Sequence, residues 1–333
     1  MFEQLDFSRF HNKNTHERDQ FCRELISELS KSGWVRLVNH GVPPESIDRA
    51  FEMSREFFEL PLDQKLKSPH PPTAHPHRGF SPVGLENISS VSNYRSSAIQ
   101  PLLRDMKVYL LIGYISTVFQ YLASPGLHDG FRDTMNSFFT FCYEAELMIL
   151  DAISIGLGLP IHSLRELHGA QTNELRLTHY PEVDRADFAN ATRIAAHTDF
   201  GTITLLFQDN VGGLGKRYYL PNVGIELTFK EMEQPPGSGV FVPADNAGLH
   251  ECIVNVGDCL QIWTGLHSAR HRVHLAKRES QGDMVPERFS IAYFAKPDRA
   301  ALLRPLLDSL DKPTQKLLTA NEFQHMRIEG TYA

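Results

Sequence analysis

A histidine and an aspartate that could bind a metal stand two residues apart in a segment rich in β-branched and aromatic residues. They are His197 and Asp199, within residues 196–207. This composition predicts a strand, and residues i and i+2 of a strand point to the same side of a sheet. A second histidine would complete a set of two imidazoles and one carboxylate on one face of a metal ion. That set leaves coordination positions open and is typical of non-haem Fe(II) oxygenases.

A structural role for the same pair is the alternative, since His-x-Asp pairs often lie at the surface or cap a loop. The surroundings of Asp199 weigh against that role, because the neighbouring positions are mostly apolar. Burying an unpaired carboxylate there would be costly, and a bound metal ion would remove the cost. The pair therefore indicates a metal site, with a satisfied structural His–Asp contact left open.

The third ligand would come from another strand, and four histidines between residues 250 and 274 are the candidates. These candidates are His250, His267, His271 and His274. His250 stands in a polar segment and His267 in a predicted turn, which makes both less suitable. On a strand, His271 and Val273 would share one face, opposite His274. The pattern favours His271 but leaves His274 open.

An arginine and a serine with the same spacing follow further along the chain. Arg288 and Ser290 would present a guanidinium and a hydroxyl to one cavity. A guanidinium can hold a carboxylate through two parallel hydrogen bonds, and a buried one needs an anion. The distal carboxylate of 2-oxoglutarate, a co-substrate of iron oxygenases, would provide it. The alternative is a structural ion pair between Arg288 and an Asp or Glu.

The elements that must position these side chains change in type along the chain. Helical spacing of apolar residues predicts helices at 15–32, 47–58 and 131–155. Runs rich in β-branched and aromatic residues predict strands at 34–39, 175–180, 194–207, 251–263 and 288–295. Helices followed by many strands indicate an α+β fold that is mainly β, with a helical layer packed on a sandwich or barrel.

Composition restricts the class of protein. The 333 residues are 41% hydrophobic and carry a net charge of -7, which argues against a nucleic-acid-binding protein. Scattered cysteines without a Cys-x-x-Cys pair argue against disulfides and structural zinc; they are Cys22, Cys142, Cys252 and Cys259. The N-terminus carries acidic residues where a signal peptide would carry basic ones, so we expect a cytoplasmic protein.

Several motifs, taken in order, resemble the isopenicillin N synthase-like group of Fe(II)/2-oxoglutarate-dependent dioxygenases. The most specific are His-Thr-Asp-Phe-Gly-Thr-Ile-Thr-Leu-Leu at 197–206, Val-Asn-Val-Gly-Asp at 254–258, His-Arg-Val at 271–273 and Arg-Phe-Ser-Ile-Ala-Tyr-Phe at 288–294. Segments 33–41, 78–80 and 175–181 are also similar. The resemblance covers most of the chain and implies a double-stranded β-helix, or jelly-roll, core with an N-terminal helical region.

The resemblance also implies a domain arrangement and a set of site residues. An N-terminal part, 1–130, and a part with a long helix and the jelly roll, 131–333, would pack as one compact unit. The implied Fe(II) ligands are His197, Asp199 and His271, which favours His271 over His274. The residues implied to hold the C5 carboxylate of 2-oxoglutarate are Arg288 and Ser290, with Tyr180 as a helper.

Four departures from the family pattern bear on substrate closure and activity. Residues 108–122 are nearly uncharged where relatives carry a polar loop, although the run is shorter than the about 20 residues of a membrane span. A buried strand or helix, an interfacial patch and a gene-model error are the interpretations. Residues 216–230 lengthen one connection, and 264–270 form a short turn. Thr178 stands where relatives have Asn.

The function implied is that of an oxygenase that uses Fe(II), 2-oxoglutarate and O2 to oxidise a small organic molecule. Hydroxylation, desaturation and ring closure are all within that chemistry, and specialised metabolism is the setting that the sequence hints at. One alternative is an iron-dependent oxidase that does not use 2-oxoglutarate, because the Arg-x-Ser pair occurs in both kinds. Another is an inactive binding protein from a faulty gene model. The substrate is not predictable from these motifs.

Overall fold

The computed structural model describes residues 3–68, 79–82, 104–105, 108–113, 130–189, 191–209, 228–233, 241–243, 248–268, 270–275, 284–307 and 317–332. The α-helices within these ranges are α1 (Thr15–Ser32), α2 (Pro44–Glu59), α3 (Leu62–Lys65), α4 (Phe131–Gly156), α5 (Asp258–Thr264) and α6 (Ala320–Tyr332). Short 3₁₀ helices span Phe7–His11, Arg165–His168 and Arg185–Ala189. Among the helices of these ranges, none combines the length and the apolar composition that a membrane span requires.

The strands form a large sheet, a small sheet and two short ribbons. The first eight strands are β1 (Gln4–Asp6), β2 (Trp34–Val38), β3 (Gly79–Ser81), β4 (Arg104–Asp105), β5 (Val108–Gly113), β6 (Glu174–Tyr180), β7 (Val183–Asp184) and β8 (Ala191–Thr192). The remaining strands are β9 (Ile194–His197), β10 (Ile203–Gln208), β11 (Thr228–Glu233), β12 (Phe241–Pro243), β13 (Cys252–Val256), β14 (His271–Leu275), β15 (Met284–Val285) and β16 (Arg288–Ala295).

The strand order fits a jelly roll with N-terminal strands added to it. The large sheet runs β1-β2-β13-β10-β16-β6-β5-β3, and the small sheet runs β12-β11-β14-β9. The ribbons are β15-β7 and β4-β8. Strands from the N-terminal part therefore share the large sheet with strands of the jelly roll. The predicted α+β class is confirmed, because helices pack on a mainly antiparallel sheet.

Most predicted elements are confirmed, but the strand predicted at 194–207 is wrong as a single element. It is two strands, β9 in the small sheet and β10 in the large one, joined by residues 198–202. Gly201 allows the connection to lie close to β16, since a Cβ there would be 2.3 Å from the carbonyl oxygen of Ala295. Asp199 consequently lies on a connection between the two sheets and not on a strand.

The strand predicted at 251–263 is also wrong in its second half. Strand β13 ends at Val256, and helix α5 begins at Asp258, with Gly257 as its N-cap. An acidic residue in the first turn favours a helix start. Gly265 ends the helix with φ 75°, a left-handed conformation that glycine adopts without strain. Apolar residues on both sides of Gly257 concealed this boundary in the sequence.

Helix α4 is the centre of the helical layer on the large sheet. Phe138 packs against Phe207 of β10 with ring centroids 5.5 Å apart, and Phe139 packs against Tyr293 of β16 at 5.2 Å. Helix α1 lies close against α4, since a Cβ on Gly156 would be 2.4 Å from the carbonyl oxygen of Cys22. The main hydrophobic core lies between these helices and the sheet.

The unusual runs at 108–122 and 216–230 are described only in part. Residues 108–113 form β5, which pairs antiparallel with β6 and β3. The interpretation as a strand is therefore correct for this portion, and 114–122 lie outside the described residues. Of 216–230, only 228–230 are described, and they begin β11.

Candidate metal centre

Three side chains proposed as metal ligands from the sequence lie together where the two sheets meet. His197 ends β9, and His271 begins the neighbouring strand β14 directly opposite it. Their imidazole rings have centroids 4.3 Å apart. One nitrogen or oxygen atom from each of His197, Asp199 and His271 lies within 4.8 Å of the other two. Two nitrogen donors and one oxygen donor can therefore reach a single ion.

The carboxylate of Asp199 is oriented by hydrogen bonds to one of its two oxygens. Its Oδ2 accepts from the Thr204 hydroxyl at 2.7 Å and from the Asn255 amide at 2.8 Å. Its Oδ1 lies 3.8 Å from Nε2 of His197 and 3.6 Å from Nε2 of His271. Thr204 and Asn255 face each other on β10 and β13. They hold the carboxylate with Oδ1 towards both imidazoles, where a metal would bind.

The connection that carries Asp199 is fixed by backbone hydrogen bonds on both sides. The Thr202 amide donates to the Ala295 carbonyl at 2.8 Å, and the Asp258 amide donates to the Asp199 carbonyl at 2.8 Å. A Cβ at Gly257 would come within 2.4 Å of the Gly201 carbonyl oxygen. Because residue 257 is a glycine, the start of α5 can approach the connection closely. The motif residues shape the backbone on which Asp199 is held.

Two of the competing histidines, His250 and His267, have other surroundings. His250 is half exposed, and its Nε2 lies 2.9 Å from Asp48. His267 follows the end of α5 and is not part of a strand. His271 is only 4% exposed, on the strand that faces β9. Within the described ranges, the potential ligand side chains that converge are those of His197, Asp199 and His271.

Arg288, Ser290 and Tyr180 also lie together, on the paired strands β16 and β6. Arg288 is opposite Tyr180, and its guanidinium carbon is 4.8 Å from the centroid of the phenol ring. Arg288 and Ser290 are two residues apart on β16, so their side chains point to the same side. All three residues are buried. The three residues assigned to the co-substrate carboxylate thus form one buried polar group.

One guanidinium nitrogen of Arg288 has no hydrogen-bond acceptor among the described residues. Its Nη2 donates to Gln208, while Nη1 is buried and has no hydrogen-bond partner there. Asp209, the nearby carboxylate, accepts instead from the Phe289 amide at 2.8 Å. Burial raises the pKa of Asp209, and Arg288 opposes that rise. A buried charged donor without an acceptor is costly, so this position is suited to an anion.

A second buried arginine lies beside Tyr180, and it was not predicted from the sequence. Arg193 is fully buried, and its Nη2 donates to the carbonyls of Pro181 and Pro286 at 3.0 and 2.6 Å. Its guanidinium carbon lies 5.6 Å from the Tyr180 ring centroid. Burial, followed by the charge of Arg288, lowers the pKa of Arg193 to about 10. A sequence feature that could have indicated Arg193 is its position as a basic residue directly before a predicted strand.

A buried carboxyl network connects α4 with the large sheet. Oε2 of Glu146 accepts from the Tyr293 hydroxyl and from the Asn173 amide, both at 2.8 Å. Burial raises the pKa of Glu146 to about 8, against the opposing effect of these two hydrogen bonds. The network continues near His168, which contacts the Thr202 hydroxyl at 2.8 Å. Glu146 is therefore mainly protonated at neutral pH.

Glu146→Gln is expected to stabilise the protein at pH 8 and to flatten the dependence of stability on pH. The native protein holds this proton more tightly than the unfolded chain, in which the pKa is near 4.5. The free energy of unfolding should therefore fall as pH rises between these values, by about 1 kcal/mol per pH unit. Glutamine has no such proton to lose. Denaturant unfolding at pH 5, 6, 7 and 8 measures the effect.

The exposed Glu144 on the same helix provides the matched control. Glu144→Gln should keep the pH dependence of the wild-type protein. Equal slopes for wild type and Glu146→Gln would show that Glu146 is ionised in the native protein.

Comparisons with known proteins agree with this architecture over the whole chain. A family model described as "2OG-Fe(II) oxygenase superfamily" matches residues 172–297. A second model, described as "non-haem dioxygenase in morphine synthesis N-terminal", matches residues 3–106. The first match contains the two histidines, the aspartate and the arginine–serine pair discussed above.

Individual relatives extend over nearly the full length. The 2-oxoglutarate-Fe(II) type oxidoreductase ppzD of Metarhizium rileyi is 36% identical over 98% of this chain and 90% of that protein. Proline hydroxylase buaE of Petromyces alliaceus is 37% identical over 99% of this chain and 95% of that protein. A full-length Neurospora crassa protein, crystallised in complex with alpha-KG, superposes with a TM-score of 0.79 at 26% identity, covering 98% of this chain and 96% of that one. The chain belongs to the Fe(II)/2-oxoglutarate-dependent dioxygenases, oxidoreductases that use iron, 2-oxoglutarate and O2 to oxidise small organic molecules.

Proposed function

We propose that His197, Asp199 and His271 bind one Fe(II) ion, and that Arg288 holds the C5 carboxylate of 2-oxoglutarate. The observation that carries the proposal is the convergence of the three ligand atoms within 4.8 Å of one another. Ser290 and Tyr180 complete the carboxylate site beside Arg288. The reaction is the oxidation of a small organic substrate by hydroxylation, desaturation or ring closure.

The donor set fits Fe(II) and the expected co-substrate. Two imidazoles and one carboxylate occupy one face of the ion and leave positions for other ligands. Hydrogen bonds from Thr204 and Asn255 hold Oδ2 of Asp199 and direct Oδ1 to the metal. Such outer contacts orient a ligand and adjust its affinity for the ion. Asp199 is thus held in the geometry that binding requires.

Buried positive charge supports the binding of an anionic co-substrate beside Arg288. Arg288 offers a buried Nη1 without an acceptor in the described ranges, and Arg193 adds a second buried positive charge against the Tyr180 ring. A dicarboxylate bound here would offset these charges, and its keto acid end would be available as a ligand for the iron. When bound, iron and 2-oxoglutarate supply the oxidising chemistry, with O2 as oxidant. The protein supplies orientation and a water-poor cavity.

Two alternatives make different predictions. An iron oxidase that does not use 2-oxoglutarate would need another partner for Arg288, and its substrate would be consumed without succinate formation. A non-catalytic binding protein would not need three converging ligands. The presence of all three side chains in one place favours catalysis over simple binding.

The experiment is a succinate assay on metal-free protein that is reloaded with Fe(II). We expect succinate only when Fe(II), 2-oxoglutarate and O2 are all present, and more of it when a substrate is added. L-proline is the first compound to test, because the relative buaE is named a proline hydroxylase. Oxidised product and succinate should form in a ratio of about one to one, as the coupled chemistry requires. Product without succinate would support the oxidase, and absence of iron binding would support the binding protein.

We also propose that the enzyme acts in specialised metabolism, in the cytoplasm of the organism that encodes it. Both named relatives with high coverage are fungal oxidoreductases. The four cysteines are free and buried, which suits a reducing compartment. Detection of the product in the organism that encodes this chain, and its loss on gene deletion, would test the metabolic setting.

A further inference from the structure

In the C-terminal helix α6, Arg327 contacts the connection 198–202, which carries the proposed ligand Asp199. Nη2 of Arg327 donates to the Thr198 hydroxyl at 3.1 Å and lies 3.3 Å from Oδ2 of Asp258. The guanidinium carbon is 4.7 Å from the centroid of the Phe200 ring. Arg327 therefore contacts the residues immediately before and after Asp199.

Asp258 extends this contact to the backbone of the metal-binding connection. Its carboxylate accepts from the Ser268 hydroxyl at 2.7 Å and from the Thr198 hydroxyl at 3.3 Å. Its backbone amide donates to the carbonyl of Asp199 at 2.8 Å. The carboxylate of Asp258 is mostly buried, with 13% of the side chain exposed. A cation beside it offsets part of the cost of that burial.

Helix α6 is attached to the rest of the protein independently of Arg327. The Asn321 amide donates to the Arg299 carbonyl at 3.1 Å, and Phe323 packs against the main hydrophobic core. The Ala320 amide donates to the Ala301 carbonyl at 2.8 Å. Removing the guanidinium should therefore leave the helix in place while removing one of the contacts that hold the connection.

We propose that Arg327 is a positioning residue that sets the affinity of the site for its metal. It acts through Thr198 and Phe200, which stand on either side of Asp199. A planar guanidinium can donate to a hydroxyl and a carboxylate while it stacks on an aromatic ring, which a lysine ammonium does less well. The inference rests on the proposed function, in which His197 and Asp199 bind Fe(II).

The test is a titration of metal-free protein with Co(II), followed by visible absorption, so that no turnover is needed. Arg327→Met should raise the Kd for Co(II) by about tenfold, the lower end of the effect of losing a group that hydrogen-bonds directly to a ligand, because Arg327 acts through the neighbours of Asp199. Arg327→Lys keeps the charge and should raise the Kd less. Arg304→Met, which removes an exposed arginine outside the site, is the matched control and should bind like wild type.

The outcomes separate this inference from the proposed function. Loss of Co(II) binding in His197→Ala, together with wild-type affinity in both Arg327 variants, would overturn the role of Arg327 alone. Failure of the wild-type protein to bind Co(II) would overturn both. A lower thermal midpoint of the metal-free Arg327→Met protein with an unchanged Kd would mean a purely structural role. If Arg327→Met does not fold, the Kd of Arg327→Lys decides, and a wild-type value contradicts the inference.

Discussion

Asp199→Ala is expected to reduce iron-dependent turnover by at least about 1000-fold, because the loss of a ligand removes several kcal/mol of metal-dependent stabilisation. The carboxylate is the only oxygen donor of the converging group in the described residues, and its Oδ1 lies within 4 Å of both imidazole Nε2 atoms. Alanine leaves two imidazoles, which hold Fe(II) more weakly. Succinate formation at saturating 2-oxoglutarate, with bound iron measured on the same sample, gives the result.

Asp63→Ala, which removes an exposed aspartate of α3, is the control for general effects of losing a carboxylate. It should retain wild-type turnover and iron content. Full activity of Asp199→Ala would reject the assignment of Asp199 as a ligand. Normal iron content without activity would instead mean that Asp199 acts on the substrate or on O2.

Arg288→Met is expected to raise the KM for 2-oxoglutarate about 100-fold, because removing one partner of a buried charged pair costs about 2–5 kcal/mol. Arg288 is 2% exposed, and its Nη1 has no acceptor within the described residues. Methionine has a similar length but neither charge nor donors. Initial rates of succinate formation against 2-oxoglutarate concentration measure the change.

Arg288→Lys should recover part of the loss, since an ammonium supplies the charge without the two parallel donors. Arg304→Met should leave the KM unchanged. An unchanged KM in Arg288→Met would assign the guanidinium to its protein contacts with Gln208 and Tyr180 instead of to the co-substrate.

The sequence pattern together with the family resemblance was sufficient to predict which side chains converge, but not the backbone that brings them together. His197 and Asp199 were expected on one strand, whereas β9 ends at His197 and Asp199 lies on the connection to β10. Apolar and β-branched residues continue on both sides of this connection. A local pattern of that kind does not distinguish one long strand from two strands in different sheets.

The supporting contacts were harder to predict because they join residues that are far apart in the chain. Asn255 contacts Asp199 across 56 positions, and Arg327 contacts Thr198 across 129. Arg193 has its partners on two separate segments, at Pro181 and Pro286. Composition and spacing carry no information about such pairs. The motif residues could be identified in the sequence, whereas the hydrogen bonds that they make with one another required the fold.

The most direct test of the central assignment is an anaerobic crystal structure of the protein with Fe(II) and 2-oxoglutarate, with anomalous scattering recorded at the iron edge. We predict one anomalous peak in bonding contact with Nε2 of His197, Oδ1 of Asp199 and Nε2 of His271, and the C5 carboxylate of 2-oxoglutarate on Arg288. Iron bound elsewhere, or a peak that lacks any of these three ligands, would contradict the account.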